Sequence, residues 1–245
     1  MDSEILDDLV CHEDNHFWMS ARKNFIKSLF DKYVSSNEKI IEIGAGTGNV
    51  TRHLIEKGYN NFSVGEVHLG GLEYAKSYGV KERYQFDLTR APFKEHFDVV
   101  CMFDVLEHID NDNDAIRNVH EMLKPGGKAI ITVPAHMWLW NKQDRIASHR
   151  KRYELDQLRT LFELSGFEVL KGTAFFISLL PLLYLRTIFD KDDGVIRESD
   201  LNDRFKINPI VNTILKGILN IENRLLINAS SKWGGSLLLV AEKNT

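Results

Sequence analysis

Two kinds of hydrophobic pattern alternate along this chain. In one, apolar residues recur at three- and four-residue steps: Phe17, Trp18, Phe25, Ile26, Leu29, Phe30 and Tyr33 predict a helix from His16 to Val34. In the other, apolar residues form short blocks, and these predict strands at 39–43, 61–67, 83–88, 96–103 and 128–133. The near-continuous run 96–103 suits a parallel strand covered on both faces. Helical segments fall between the blocks. One starts at Asn49 and stops at Lys57-Gly58, another covers 69–77, and a third runs from about Asp112 to Leu123 and stops at Lys124-Pro-Gly-Gly. Alternation of this kind predicts a doubly wound parallel sheet of the Rossmann-like α/β class. Right-handed crossovers would put the strand C-termini on one edge, where ligands bind.

Beyond the fifth strand the spacing predicts a helix over 154–164, a sixth strand from Phe167 to about Thr173 and a last strand from Ser236 to Ala241. Between them, 174–228 reads as a helical insertion with two apolar pieces. The first, 174–186, is too short to span a bilayer and has Pro181 in its middle, although it could lie at an interface. The second is a helical stripe of Ile210, Val211, Ile214, Leu215, Ile218, Ile221, Leu225 and Leu226. Either the two pieces bury each other, or they form a homodimer face or a membrane-contacting, lipid-accepting surface. The charged stretch 190–206 between them reads as an exposed loop, and the acidic residues 1–15 as loosely held.

Composition narrows the class. A chain of 245 residues holds one large α/β domain with an insertion or two small domains, and 43% hydrophobic with 27% charged residues is ordinary for a globular protein. The net charge of −4 argues against nucleic acid as a partner. Two cysteines, Cys11 and Cys101, make no disulfide framework, and the acidic start resembles neither a signal nor a transit peptide, so a cytoplasmic setting is expected.

The candidate chemistry lies at the strand ends. Ile43-Gly44-Ala45-Gly46-Thr47-Gly48 is a glycine turn leading into a helix, where backbone can approach a ligand closely and free N–H groups favour an anionic or electron-rich group. Glu66 ends the second strand about 20 residues further on, the place from which an acid accepts hydrogen bonds from ribose hydroxyls. Asp87 and Asp104–His108 follow the third and fourth strands onto the same edge. Asn49 occupies the sixth place of the turn, where a dinucleotide fingerprint has glycine or alanine, and no Gly-Lys-Ser/Thr phosphate loop is present.

Taken together, Glu42-Ile-Gly-Ala-Gly-Thr-Gly, Glu66, Asp87, Asp104-Val-Leu-Glu-His-Ile and Leu123-Lys-Pro-Gly-Gly resemble a class I S-adenosylmethionine-dependent methyltransferase over roughly 40–133. The resemblance implies a seven-stranded sheet with an antiparallel last strand. It implies that Glu42, Gly44, Ala45, Gly46 and Gly48 face the methionine part of S-adenosylmethionine, Glu66 and Val67 the ribose, and Asp87 and Leu88 the adenine, with Phe103, Asp104 and His108 flanking the cofactor. His16-Phe17-Trp18 with Arg22 resembles the lid helix of a bacterial small-molecule subgroup, which sets Trp18 over the cofactor and Arg22 near its carboxylate. The chain then divides into a lid (1–36), a cofactor-binding core (37–173), a helical insertion (174–230) and a last strand (231–245).

Residues 134–153 hang over the ligand edge and are either an ordinary packed loop or the pocket for a small-molecule methyl acceptor, polar or hydrophobic, with His136, Trp138, Asn141 and Tyr153 as contacts. O- or N-methyl transfer would proceed by in-line displacement, with a base for the acceptor's proton. His108 is the first candidate, with His149, Tyr153 and His136 in reserve. No His/Cys cluster has zinc spacing, so no metal is expected. Two rivals remain: cyclisation of S-adenosylmethionine with release of methylthioadenosine, and a non-catalytic scaffold that keeps the cofactor site.

Overall fold

A computed structural model describes residues 14–189 and 207–244, so the expectations for 1–13 and 190–206 lie outside the described residues. The elements are α1 (Phe17–Tyr33), β1 (Ile40–Ile43), α2 (Asn49–Glu56), β2 (Phe62–Glu66), α3 (Leu69–Ser77), β3 (Glu82–Gln85), β4 (Phe97–Phe103), α4 (Asp112–Met122), β5 (Leu123–Pro134), α5 (Lys142–Ile146), α6 (Leu155–Leu164), β6 (Phe167–Phe175), α7 (Leu180–Phe189), α8 (Pro209–Leu226) and β7 (Ser236–Lys243). The strands form one seven-stranded sheet in the order β3-β2-β1-β4-β5-β7-β6. β7 runs antiparallel to both β5 and β6, and the other pairs are parallel.

Successive side chains of a strand point to opposite faces, and here both faces are covered. Ile41, Val100, Met102, Ile131 and Leu239 pack with Ile116 and Val119 of α4 and Leu158 and Phe162 of α6. Their sheet neighbours Ile40, Val99, Cys101, Ile130 and Val240 pack on the other side with Phe25, Leu29 and Phe30 of α1, Leu54 of α2 and Leu219 of α8. That two-sided cover is why the strand blocks read as unbroken apolar runs.

Two boundaries differ most from the sequence reading. The Lys124–Gly127 segment does not end a helix before a strand at Lys128. It is an irregularity within β5, which pairs first at Phe97↔Leu123 and then, after a shift, at Val99↔Lys128, with Gly126 at φ 73°. The extra residues between the two pairs are a bulge, a feature no apolar pattern announces. β3 ends at Gln85, so Asp87 stands beyond the strand, capping a short turn at Leu88–Arg90.

The two apolar pieces of the insertion meet in part: Phe176 and Leu179 share a core cluster with Leu219 and Leu226, and Glu222 of the second piece accepts from Ile177 N–H and Ser178 N–H (both 2.8 Å). Helix α8 lies along α1: Asn212 Oδ1 accepts from Phe17 N–H (2.7 Å), Asn212 Nδ2 donates to Asn15 O (2.8 Å) and Asn223 Nδ2 donates to Ala21 O (2.9 Å). Its opposite stripe, Ile210, Ile214, Ile218, Ile221 and Leu225, is exposed, and α7 buries none of its residues. Among the described residues no helix is long and apolar enough to cross a membrane.

Candidate active site

The strand order reverses between β1 and β4, and in open α/β sheets that switch point is where a ligand crevice forms. The turns after both strands line it. Gly44, Gly46 and Gly48 have φ of 66°, 55° and 72°, a left-handed region where a side chain is strained. A Cβ at Gly44 would also lie 2.7 Å from Val105 Cγ2 on the turn after β4. Glycine there lets the two turns close on each other.

Glu66 turns its carboxylate back over the glycine turn. Oε2 accepts from Gly46 N–H (3.2 Å), and Oε1 accepts from Val67 N–H (3.0 Å). Gly71 at the start of α3 makes room for it, since a Cβ there would be 2.9 Å from Glu66 Cγ. A carboxylate has about four lone-pair sites, so Glu66 keeps acceptor capacity for ligand hydroxyls. At the first residue of α2, Asn49 Nδ2 is a buried donor with no partner among the described residues. With the free N–H groups of the helix start, it leaves donor capacity that an electron-rich ligand group would satisfy. Glu42 lies under the turn, buried, and accepts from Thr51 Oγ1. Burial pushes its carboxyl up to about 7, against the Thr51 bond and the nearby Arg22 guanidinium.

Asp104 follows β4 with φ 60°. Its Oδ1 accepts from Thr132 Oγ1 (3.0 Å), and its Oδ2 is bonded by the Arg22 guanidinium from α1. Arg22 therefore ties the N-terminal helix across to the turn after β4. Trp18 packs on Phe176, ring centroids 4.3 Å apart, and so faces the insertion. Of the residues expected at the ribose and the adenine, Val67 is exposed and Asp87 accepts from Thr89 N–H (2.8 Å). The Leu88 and Phe103 side chains belong to the core, and only their backbone could meet a ligand.

Beyond Asp104, three polar side chains converge. Glu107 is completely buried, and both its carboxylate oxygens lack a hydrogen-bond partner among the described residues. Burial pushes its carboxyl up to about 8. His149 Nε2 lies 3.8 Å from Glu107 Oε1, and the His108 ring lies 4.9 Å from that of His149. Asp144, 1% exposed, holds His149 through Oδ1···Nδ1 at 2.8 Å. Arg152 braces the same carboxylate with Nε to Oδ1 (2.8 Å) and Nη2 to Oδ2 (2.9 Å). Burial alone would raise Asp144, but the His149 and Arg152 bonds outweigh it and hold its carboxyl below the ordinary value. His149 also lines an open cleft of about 290 Å³ with Trp140 and Arg150.

The remaining expected acceptor contacts go elsewhere. Asn141 is buried and caps α5, accepting from Gln143 N–H (3.0 Å) and donating to Leu139 O (2.9 Å). The Tyr153 hydroxyl lies 3.2 Å from Leu106 O and 3.1 Å from Asp112 Oδ2, and burial pushes it far above the ordinary phenol range. Both side chains are spent on holding the 134–153 loop against the sheet. His136 is buried with Nδ1 2.8 Å from Glu154 Oε2 and stacks on Trp138, which is 45% exposed. Sequence reasoning gave neither Glu107 nor Asp144 a role of its own. Glu107 stood within a quoted motif, but periodicity could not tell that it is buried without a partner.

The model of a methyltransferase domain family matches residues 15–171, well over half of the chain. The chain belongs to this methyltransferase family. Its fold is that of S-adenosylmethionine-dependent enzymes, as the sequence resemblance implied. The ubiquinone biosynthesis O-methyltransferase of Rickettsia canadensis (strain McKiel) is 31% identical over 101 residues, 40% of this chain and 43% of that one. Its Rickettsia felis (strain ATCC VR-1525 / URRWXCal2) counterpart is 31% identical over 132 residues, 49% of this chain and 54% of that one. The chain thus spans about half the length of these relatives. Among solved structures, the [4+2]-cyclase SpnF superposes with a TM-score of 0.60 at 16% identity, covering 93% of this chain and 83% of that chain. A Haemonchus contortus phosphoethanolamine N-methyltransferase 2 in complex with S-adenosyl-L-methionine gives 0.56 at 16% identity, over 91% of this chain and 52% of that one. Identities at that level show the fold alone.

Proposed function

We propose that this methyltransferase moves the methyl group of S-adenosylmethionine to a hydroxyl oxygen of a small-molecule acceptor. The observation that carries the reading is the meeting, at one switch point, of the glycine turn with Glu66 and of the Glu107–His108–His149 cluster after β4. S-adenosylmethionine, when bound, supplies an electrophilic methyl carbon on a cationic sulfur. The glycine turn, Asn49 and Glu66 hold it, and the Arg22–Asp104 pair braces the lid helix over that side. The acceptor enters by the cleft beside His149, which Trp140 and Arg150 also line. The hydroxyl proton leaves beside the polar cluster, and fixed positions on two rigid turns supply the orientation that an in-line displacement needs. The O-methyltransferase names of the curated relatives support oxygen as the acceptor atom.

The test is incubation with methyl-labelled S-adenosylmethionine and a panel of phenols and alcohols. Label appearing in a methyl ether, with S-adenosylhomocysteine in equal amount, is the expected outcome. Release of methylthioadenosine with S-adenosylmethionine alone would overturn methyl transfer in favour of cyclisation.

A further inference from the structure

The Glu107–His108–His149 cluster has a property that proton transfer alone does not require. Each histidine has its Nδ1 engaged: that of His149 on Asp144 Oδ1 at 2.8 Å, and that of His108 on the backbone carbonyl of Ser148 at 3.3 Å. An acceptor on Nδ1 fixes the proton there and leaves Nε2 as a lone pair. Both rings therefore present Nε2 as a donor atom for a third body. Opposite them stands Glu107, fully buried, with neither oxygen partnered among the described residues. A buried polar group left unsatisfied calls for an explanation. One ligand atom from each of the three residues lies within 4.8 Å of the others.

We propose that Glu107, His108 and His149 bind a divalent transition-metal ion, with Asp144 as the positioning residue behind His149. Two imidazoles and one carboxylate with open positions suit ions such as Mn²⁺, Fe²⁺, Co²⁺ or Zn²⁺. Ligands about 2.0–2.2 Å from a shared ion lie up to about 4.2 Å apart, so small side-chain rotations close the set. The His149 Nδ1–H bond to a carboxylate is the arrangement that orients metal-bound histidine. Arg152 completes the support by holding both Asp144 oxygens. His108 is exposed, so the ion would keep a position open toward solvent and the acceptor. Ligand spacing along the chain gives no sign of this site, because His149 lies 41 residues after His108 on a separate loop.

What the ion would do there rests on the methyl-transfer reading. Binding the acceptor's hydroxyl oxygen lowers its pKa, and the proton leaves to water. The oxygen lone pair then forms the new C–O bond as the C–S bond breaks, with its electron pair remaining on sulfur. The acceptor favoured by such a site is an alcohol or phenol with a second oxygen nearby, able to take two positions on one ion.

Metal binding itself is tested without cofactor or acceptor. Full-length protein, stripped with chelator, is titrated with Co²⁺ alone while the d–d absorption is followed, and with Zn²⁺ alone by calorimetry. One ion per chain at micromolar affinity or tighter is expected, with visible bands of histidine–carboxylate ligation. Glu107→Gln keeps shape and removes charge, and with His149→Ala it should weaken binding at least 100-fold. Asp144→Asn should weaken it 10–100-fold. His120→Ala, outside the cluster, should leave it unchanged. No binding below millimolar, or binding that Glu107→Gln and His149→Ala do not alter, would overturn the site. S-adenosylmethionine affinity measured on the same stripped protein stands apart: its loss would count against the methyltransferase reading and leave the metal site standing.

Discussion

Glu66 and Glu42 are both acids near the glycine turn, yet their surroundings assign them opposite tasks. Glu66 sits at the mouth with lone pairs to spare. Glu66→Ala is expected to weaken S-adenosylmethionine binding by about 1–3 kcal/mol, the cost of leaving polar partners unpaired, as calorimetry on the folded mutant will show. Glu42 is fully buried and its carboxyl is raised from 4.5 to about 7. The native state therefore keeps a proton that the unfolded chain has already released. Stability falls as pH rises from about 4.5 to about 7 and then levels off, by an amount on the order of 3 kcal/mol for this group. Glu42→Gln keeps the Thr51 bond and removes the titration. Denaturant unfolding across that pH range is expected to give a flatter profile for Glu42→Gln than for the natural protein, and a higher stability at pH 8. Gly44→Ala combines a left-handed φ with a contact to Val105. It should cost about 1–3 kcal/mol in thermal or chemical unfolding and open the crevice.

Helix α1 is joined to more than the turn after β4. Three hydrogen bonds, between Phe17 and Asn212, Asn24 and Asn220, and Ala21 and Asn223, fasten α1 to α8. Deleting α1 would uncover the inner face of α8, so truncation confounds packing with binding. Arg22→Ala is the narrower probe: it releases Asp104, and a weakened cofactor affinity with an unchanged melting temperature is the expected result. The outer stripe of α8 gives the converse prediction. Ile214→Glu with Ile221→Glu places charges on positions 56% and 63% exposed and should shift stability by no more than about 0.5 kcal/mol each. A lipid surface or a second copy would meet that stripe, and the same double variant would then lose liposome co-sedimentation or change its sedimentation coefficient. The elements themselves were legible because apolar period marks burial. The direction in which α8 faces was not, because Ile210, Ile214 and Ile221 carry the same apolar signal as Leu219 and Leu226 while only the latter two reach the core.

At the scale of the molecule, sheet class and the ligand edge could be read from the strand–helix rhythm and from residues at strand ends, and the antiparallel last strand followed from the family resemblance. What could not be read depends on long-range meetings. Glu107 finds His149, Arg22 finds Asp104 and Asn212 finds Phe17 across separations that no local pattern encodes. The position of β7 belongs with these. It is last in sequence, yet it fills the slot between β5 and β6, pairing with both along its length. During synthesis, therefore, β5 and β6 leave the ribosome with no strand to join them. Until residues 236–243 emerge, each presents a row of unpaired N–H and C=O groups alongside an apolar face. The nascent chain passes through a window in which two open edges can recruit a neighbouring polypeptide, and it closes only when the final strand slides in as the keystone.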